Sequence, residues 1–122
     1  MNIFVKVGDS KYPASITGRI HDQDWDDRSS KAIKLQMTYA DASALFVDGV
    51  EWSIVQENEE MAETIGEDGE TKHVPQTVFE EYDNSEYSLA GDITDHRDGF
   101  VTVKMGKLTE LEEAYELMLG GI

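Results

Sequence analysis

Cysteine is absent from the 122 residues, which excludes a disulfide framework, a zinc–thiolate site and a cysteine nucleophile together. It leaves the compartment open, because cysteine-free chains occur on both sides of membranes. Long apolar runs are also missing, and nothing approaches the roughly 18 residues that a bilayer-spanning helix needs. The opening Met1-Asn2-Ile3-Phe4-Val5-Lys6-Val7 has no basic segment ahead of an apolar stretch and is soon interrupted by Gly8, Asp9 and Lys11. It therefore reads as a strand rather than a secretory leader, and a cytoplasmic protein is expected. Walker and Rossmann glycine loops, a GxSxG elbow and HExxH spacing are lacking as well. Asp92, Asp95, His96 and Asp98 crowd one predicted turn, where aspartates ordinarily bond their own backbone. The chain is expected to be non-enzymatic and to use no cofactor.

Basic residues are scarce: 10 Lys and Arg stand against 26 Asp and Glu, a formal net charge of −16. The excess is local. Residues 51–98 hold 15 acidic and 2 basic groups, whereas residues 1–50 hold 7 and 6 and residues 99–122 hold 4 and 2. Such a surface repels phosphate backbones and anionic lipid. The expected partners are proteins, basic ones among them, with self-association open and neither nucleic acid nor membrane bound directly. The plainest reading of the acidity is solubility.

What is present reads mostly as strand. Ile3, Val5 and Val7 alternate with polar neighbours, and Gly8-Asp9-Ser10-Lys11 supplies turn chemistry before a second run, Tyr12 to Ile20, so an N-terminal hairpin is expected. Pro13 has no N–H to donate, which favours an edge strand or the first residues of one. Ile33, Leu35 and Met37 alternate with Lys34, Gln36 and Thr38, the clearest half-buried strand. Thr38 and Asp41 then stand in capping-box positions for a short helix that Asp48-Gly49 stops. Trp52 and Ile54 resume strand character, with Trp52 in the core. Phe100 to Met105 pairs with the strand leading to Ile93 across the turn Asp95-His96-Arg97-Asp98-Gly99. Thr109 and Glu112 cap a C-terminal helix whose Leu111, Ala114, Tyr115 and Met118 form one apolar stripe, a face made for packing.

Residues 57–84 stand apart. From Glu57 to Glu70 there are seven acidic residues and no basic one, with too few apolar side chains to bury a face. Gly66-Glu67-Asp68-Gly69 is a turn across which Ala62–Ile65 and Thr71–Val74 can pair. The segment reads as an acidic hairpin arm or a flexible insert, and a helix over Glu57 to Ile65 is the rival. The fold class is α+β and β-rich: one domain over residues 1–122, an antiparallel sheet or small β-sandwich built of hairpins, with a short middle helix and a C-terminal helix.

Two loops carry candidate sites. Glu57, Glu59, Glu60, Glu63, Glu67, Asp68 and Glu70 are the partner-binding residues expected on the arm. Trp25, set among aspartates, is either a lid over one end of the core or an exposed anchor for a partner. Asp22, Asp24 and Asp26 begin like a calcium loop, but Asp27 stands where glycine is needed and Ile33 where the bidentate glutamate belongs. A solvated acidic loop is the reading preferred over a metal site.

Three pieces, Asp41-Ala42-Ser43-Ala44-Leu45-Phe46-Val47-Asp48-Gly49, Tyr82-Asp83-Asn84-Ser85-Glu86-Tyr87 and Asp92-Ile93-Thr94-Asp95-His96-Arg97-Asp98-Gly99, together resemble small uncharacterised acidic proteins encoded in prophages of Gram-positive gut bacteria, among genes for tail and other virion parts. The resemblance covers most of the chain outside residues 57–80 and transfers no functional residue. It implies a phage setting: a bacterial host cytoplasm, incorporation in the virion, and a structural or assembly role in the tail region. The alternative is an inhibitor whose acidic arm mimics a row of phosphates and occupies the basic groove of a host nuclease or DNA-binding protein.

Overall fold

The computed structural model describes residues 2–120. Along the chain run β1 (Asn2–Val7), β2 (Ser10–Asp22), β3 (Arg28–Gln36), α1 (Tyr39–Leu45), β4 (Trp52–Ile65), β5 (Thr71–Asp83), β6 (Leu89–Asp95), β7 (Phe100–Gly106) and α2 (Glu110–Gly120). The strands form one seven-stranded antiparallel sheet in the order β5-β4-β1-β2-β3-β7-β6. The architecture is β-rich α+β, one antiparallel seven-stranded sheet with two short helices.

Period-two alternation builds the core. Ile33 lies opposite Val103 and Leu35 opposite Val101, and all four are buried. Val5 and Trp52 join them from β1 and β4, Met105 from β7, and Ala42 and Phe46 from α1 and its C-cap. The inner face is thus apolar from β4 to β7, fully buried at its centre and half-buried along β2, because each strand places its alternate apolar residues there. Trp52, the largest of these side chains, donates its indole Nε1 to the Tyr87 carbonyl at 3.0 Å, so its polar atom is satisfied where it is buried. The Thr38 hydroxyl accepts from the Asp41 backbone N–H at 3.1 Å and starts α1 as its sequence position implies.

Of the two places expected for Pro13, the structure gives the second: it lies among the first residues of β2, inside the sheet rather than on an edge strand. It is the last β2 residue paired with β1, opposite Phe4, and Ala14 is the first paired with β3, opposite Leu35. A residue without an N–H is tolerated where the strand changes partners. The apolar stripe of α2, expected to pack, is instead uncovered: Leu111, Tyr115 and Met118 are 81%, 63% and 71% exposed. Helical spacing says which face is apolar, not that something packs against it.

Candidate functional site

The arm follows from the unequal lengths of neighbouring strands. β1 pairs with β4 only from Trp52 to Glu57, the last opposite Asn2, whereas β4 and β5 stay paired to Ile65 opposite Thr71. Among the described residues the two strands have only each other beyond Glu57. At about 3.3 Å per residue, the β4 residues Asn58–Ile65 extend this ribbon about 26 Å past the body. Its tip closes through Gly66-Glu67-Asp68-Gly69: Gly66 N–H donates to the Glu70 carbonyl at 2.9 Å, Gly69 N–H to the Gly66 carbonyl at 2.9 Å, and the Asp68 carboxylate accepts from Glu70 N–H at 3.2 Å. Gly69 has φ +77°, a conformation glycine adopts without steric cost. Ala62 to Ile65 pair with Val74 to Thr71, and the helical alternative for Glu57 to Ile65 is not adopted.

The seven arm carboxylates are brought together only in the sense of sharing this ribbon. Glu57 sits at its base, half-buried and accepting from the Asn2 amide at 3.3 Å. Glu59, Glu60, Glu63, Glu67, Asp68 and Glu70 are exposed. None of the seven makes an ion pair among the described residues. Strand alternation puts Glu57, Glu59, Met61, Glu63 and Ile65 on one face of the ribbon. Met61 is 64% and Ile65 80% exposed, so this face is both charged and apolar.

The Trp25 loop is built differently. Its Asp22 is wholly inaccessible to solvent. One carboxylate oxygen accepts from Ser30 Oγ and Lys104 Nζ, each at 2.8 Å, and the other from the Asp24 N–H at 3.1 Å. Lys104 and Ser30 hold this carboxyl down at about 2, because both interactions favour the charged form. The Asp22 carbonyl takes the N–H groups of Trp25 at 3.0 Å and Asp27 at 2.8 Å, folding the loop back over the sheet. The indole lies so close to Gly91 and Gly106 that an added Cβ would come within 2.8 Å and 2.6 Å of it. The Arg28 guanidinium covers the ring at 5.0 Å. Trp25 is therefore a partly exposed lid on the sheet's outer face, on the side away from the buried core and not over an end of it.

Arg28 then ties this lid to α2. Its Nη1 donates to Glu112 Oε1 at 2.6 Å and to the Lys107 carbonyl at 3.1 Å, and its Nη2 donates to Glu112 Oε2 at 3.2 Å. Glu112 also accepts from Thr109 N–H at 2.9 Å while Thr109 Oγ1 accepts from Glu112 N–H at 3.2 Å, a complete capping box. Arg28, and after it the Thr109 N–H, lowers the Glu112 carboxyl to about 2. Only the first turn of α2 is secured in this way, and the apolar stripe beyond it faces solvent.

As for metal ligation, Asp22 and Asp24 share Arg19, each 3.6 Å from its Nη1, and Asp26 turns to Arg28 at 3.4 Å, so cations of the chain itself face these carboxylates. Among the described residues no group of three His, Asp or Glu side chains is placed to hold an ion. Asp95 and Asp98 accept from the N–H groups of Arg97 and Phe100 at 2.9 Å and 3.0 Å, as turn aspartates do. No described helix is long and apolar enough to cross a membrane.

Sequence reasoning misses one surface. Lys11 and Lys34 occupy outward positions on β2 and β3, where lysines are ordinary, yet the fold sets them beside aromatic rings. Lys11 Nζ lies 4.3 Å from the Phe79 centroid and 5.7 Å from that of Phe4, and Lys34 Nζ lies 5.6 Å from that of Phe100. Phe4, Pro13, Ser15, Lys34 and Phe100 line an open groove of about 830 Å³ on that face. No protein-family model, curated protein or solved structure matches this chain at a significant level.

Proposed function

We propose that this chain is a non-enzymatic structural or assembly protein of a bacteriophage, working in the tail region through protein–protein contacts made by its arm. The observation that carries the reading is the ribbon past Glu57, which among the described residues has no neighbouring strand beyond its own hairpin and presents Met61 and Ile65 uncovered among carboxylates. An extended hairpin with an apolar-acidic face contributes little to its own domain and supplies main-chain and side-chain contacts to another. The phage and tail setting comes from the sequence resemblance. Mass spectrometry of purified particles and assembly intermediates tests it: the chain is expected in at least one of them, and its absence from all of them overturns the reading.

A second reading rests on the spacing of Glu57, Glu59 and Glu63 along one face of β4. Alternate strand residues lie about 6.6 Å apart, which separates Glu57 from Glu59 by about 6.6 Å and Glu59 from Glu63 by about 13 Å, a row of negative charge suited to a basic groove. Inhibition of a host nuclease or DNA-binding protein would follow. Capture of a basic host protein that elutes steeply with salt supports this reading, and a complex unchanged by molar salt contradicts it.

A further inference from the structure

The chain is acidic as a whole, and Glu57 and Glu81 lie on its outer sheet face, but one region of that face is rich in lysine. On that face Lys6, Lys11 and Lys34 stand among Phe4, Pro13, Phe79 and Phe100, since residues at alternate strand positions share one side. Lys6 is paired with Glu81 at 3.0 Å. Lys11 and Lys34 form no ion pair among the described residues and rest on aromatic rings instead. A cation over a ring remains available to a carboxylate from outside, because the ring's negative face satisfies only one side of it. Phe79 and Phe100 are 53% and 38% exposed. One acidic group, Asp98, borders the groove, and its carboxylate is engaged with the Phe100 N–H at 3.0 Å.

The arm is the counterpart of this face. Its outer side reads Glu57, Glu59, Met61, Glu63, Ile65, carboxylates alternating with uncovered apolar side chains, against unpaired lysines interleaved with exposed aromatics. The chain's own arm continues the same sheet through β4 and leaves the body beyond Glu57, so a strand of the sheet cannot fold back onto that sheet's face. We infer that the lysine–aromatic groove around Phe4, Lys11, Lys34 and Phe100 receives the arm of a second copy of this chain. The carboxylates of Glu59 and Glu63 meet Lys11 and Lys34, and Met61 and Ile65 cover the aromatic rings. Two copies each of net charge −16 repel at long range, but salt confines that repulsion to about 8 Å at physiological ionic strength. Opposite charges in direct contact then set which surfaces meet.

This deepens the arm-contact reading above and rests on it, and its failure is separable from that reading's. The experiment is light-scattering mass determination on three intact chains at high micromolar concentration: the natural sequence, Lys11→Glu with Lys34→Glu, and Glu59→Lys with Glu63→Lys. Circular dichroism checks that each is folded. The natural chain is expected at a multiple of 13.7 kDa, each variant alone at one copy, and an equal mixture of the two variants back at the multiple. A natural chain that stays a single copy, variants that assemble as the natural chain does, or a mixture that fails to regain mass overturns the inference. Particles that contain a chain which never self-associates leave the arm-contact reading standing with another partner; self-association of a chain absent from all particles does the reverse. If a double variant does not fold, Lys34→Gln and Glu63→Gln replace them, each expected to weaken assembly at least threefold; an unchanged assembly midpoint counts against the inference.

Discussion

The two ends of β4 belong to different kinds of structure. At Trp52 the strand has β1 on one side and β5 on the other, its indole is 1% exposed, and its N–H is bonded. At Ile65, in the same strand, the side chain is 80% exposed and β5 is the only neighbouring strand among the described residues. Local propensity for strand falls between them, from Trp, Ile and Val to Glu, Met and Ala, yet both ends are strand. What also changes is whether a third strand is present, and a hairpin without one gains little from burial. The body is held by what its inner face hides, whereas the arm is held by a turn and a ladder of backbone bonds. Its exposed side chains are therefore free to contact something else.

If this contrast is right, substitutions at the two ends must differ widely in effect. Trp52→Ala is expected to cost about 3–5 kcal/mol, the range for truncating a buried large aromatic, read as a lower urea midpoint. Acid comes next. Asp22 and Glu112 titrate lower in the folded chain, both at about 2, than their ordinary values of 3.8 and 4.5. Each stabilises the fold above the ordinary value, and the contribution is lost as pH falls from there to about 2. Urea midpoints should decline across that window, and Asp22→Asn, weaker at neutral pH, should decline less. A decline of the same size in Asp22→Asn contradicts the role given to the Lys104 and Ser30 contacts.

Smaller effects sharpen the comparison. Gly106→Ala puts a methyl against Trp25 and the Arg28 side chain and should cost about 1–3 kcal/mol as overpacking does, with a shift in tryptophan emission. At the far end, Glu59→Gln with Glu63→Gln should alter stability by no more than about 0.5 kcal/mol, as surface changes do, while reducing retention of whatever partner the arm holds. A large loss of stability there would make the arm part of the body.

Much of the body is legible in the sequence because its signals are local. The alternation of Ile33 with Leu35, the capping positions Thr38–Asp41 and Thr109–Glu112, and the Gly66–Gly69 turn each involve neighbours in the chain. The hairpin of β6 with β7 is legible for the same reason. The rest depends on distant residues. Arg28 meets Glu112 across 84 positions, and the place of Trp25 is set by Gly91 and Gly106, glycines that look like ordinary breakers in the sequence. The exposure of α2 and the interior place of Pro13 depend on which elements become neighbours, which periodicity does not state. The arm carboxylates are visible as composition; the lysine–aromatic groove is not, because four strands must pair in register before Phe4, Lys34 and Phe100 share a face.

The most direct measurement replaces residues 58–78 with a two-residue Asn-Gly turn joining Glu57 to its partner Phe79, a connection that suits a tight hairpin. Urea unfolding and recovery in phage particles are then measured on the same chain. A stability within about 1 kcal/mol of the natural chain's, together with loss of the chain from particles, is what an arm devoted to contacts predicts. A shortened chain that no longer folds, or one that enters particles undiminished, would contradict it.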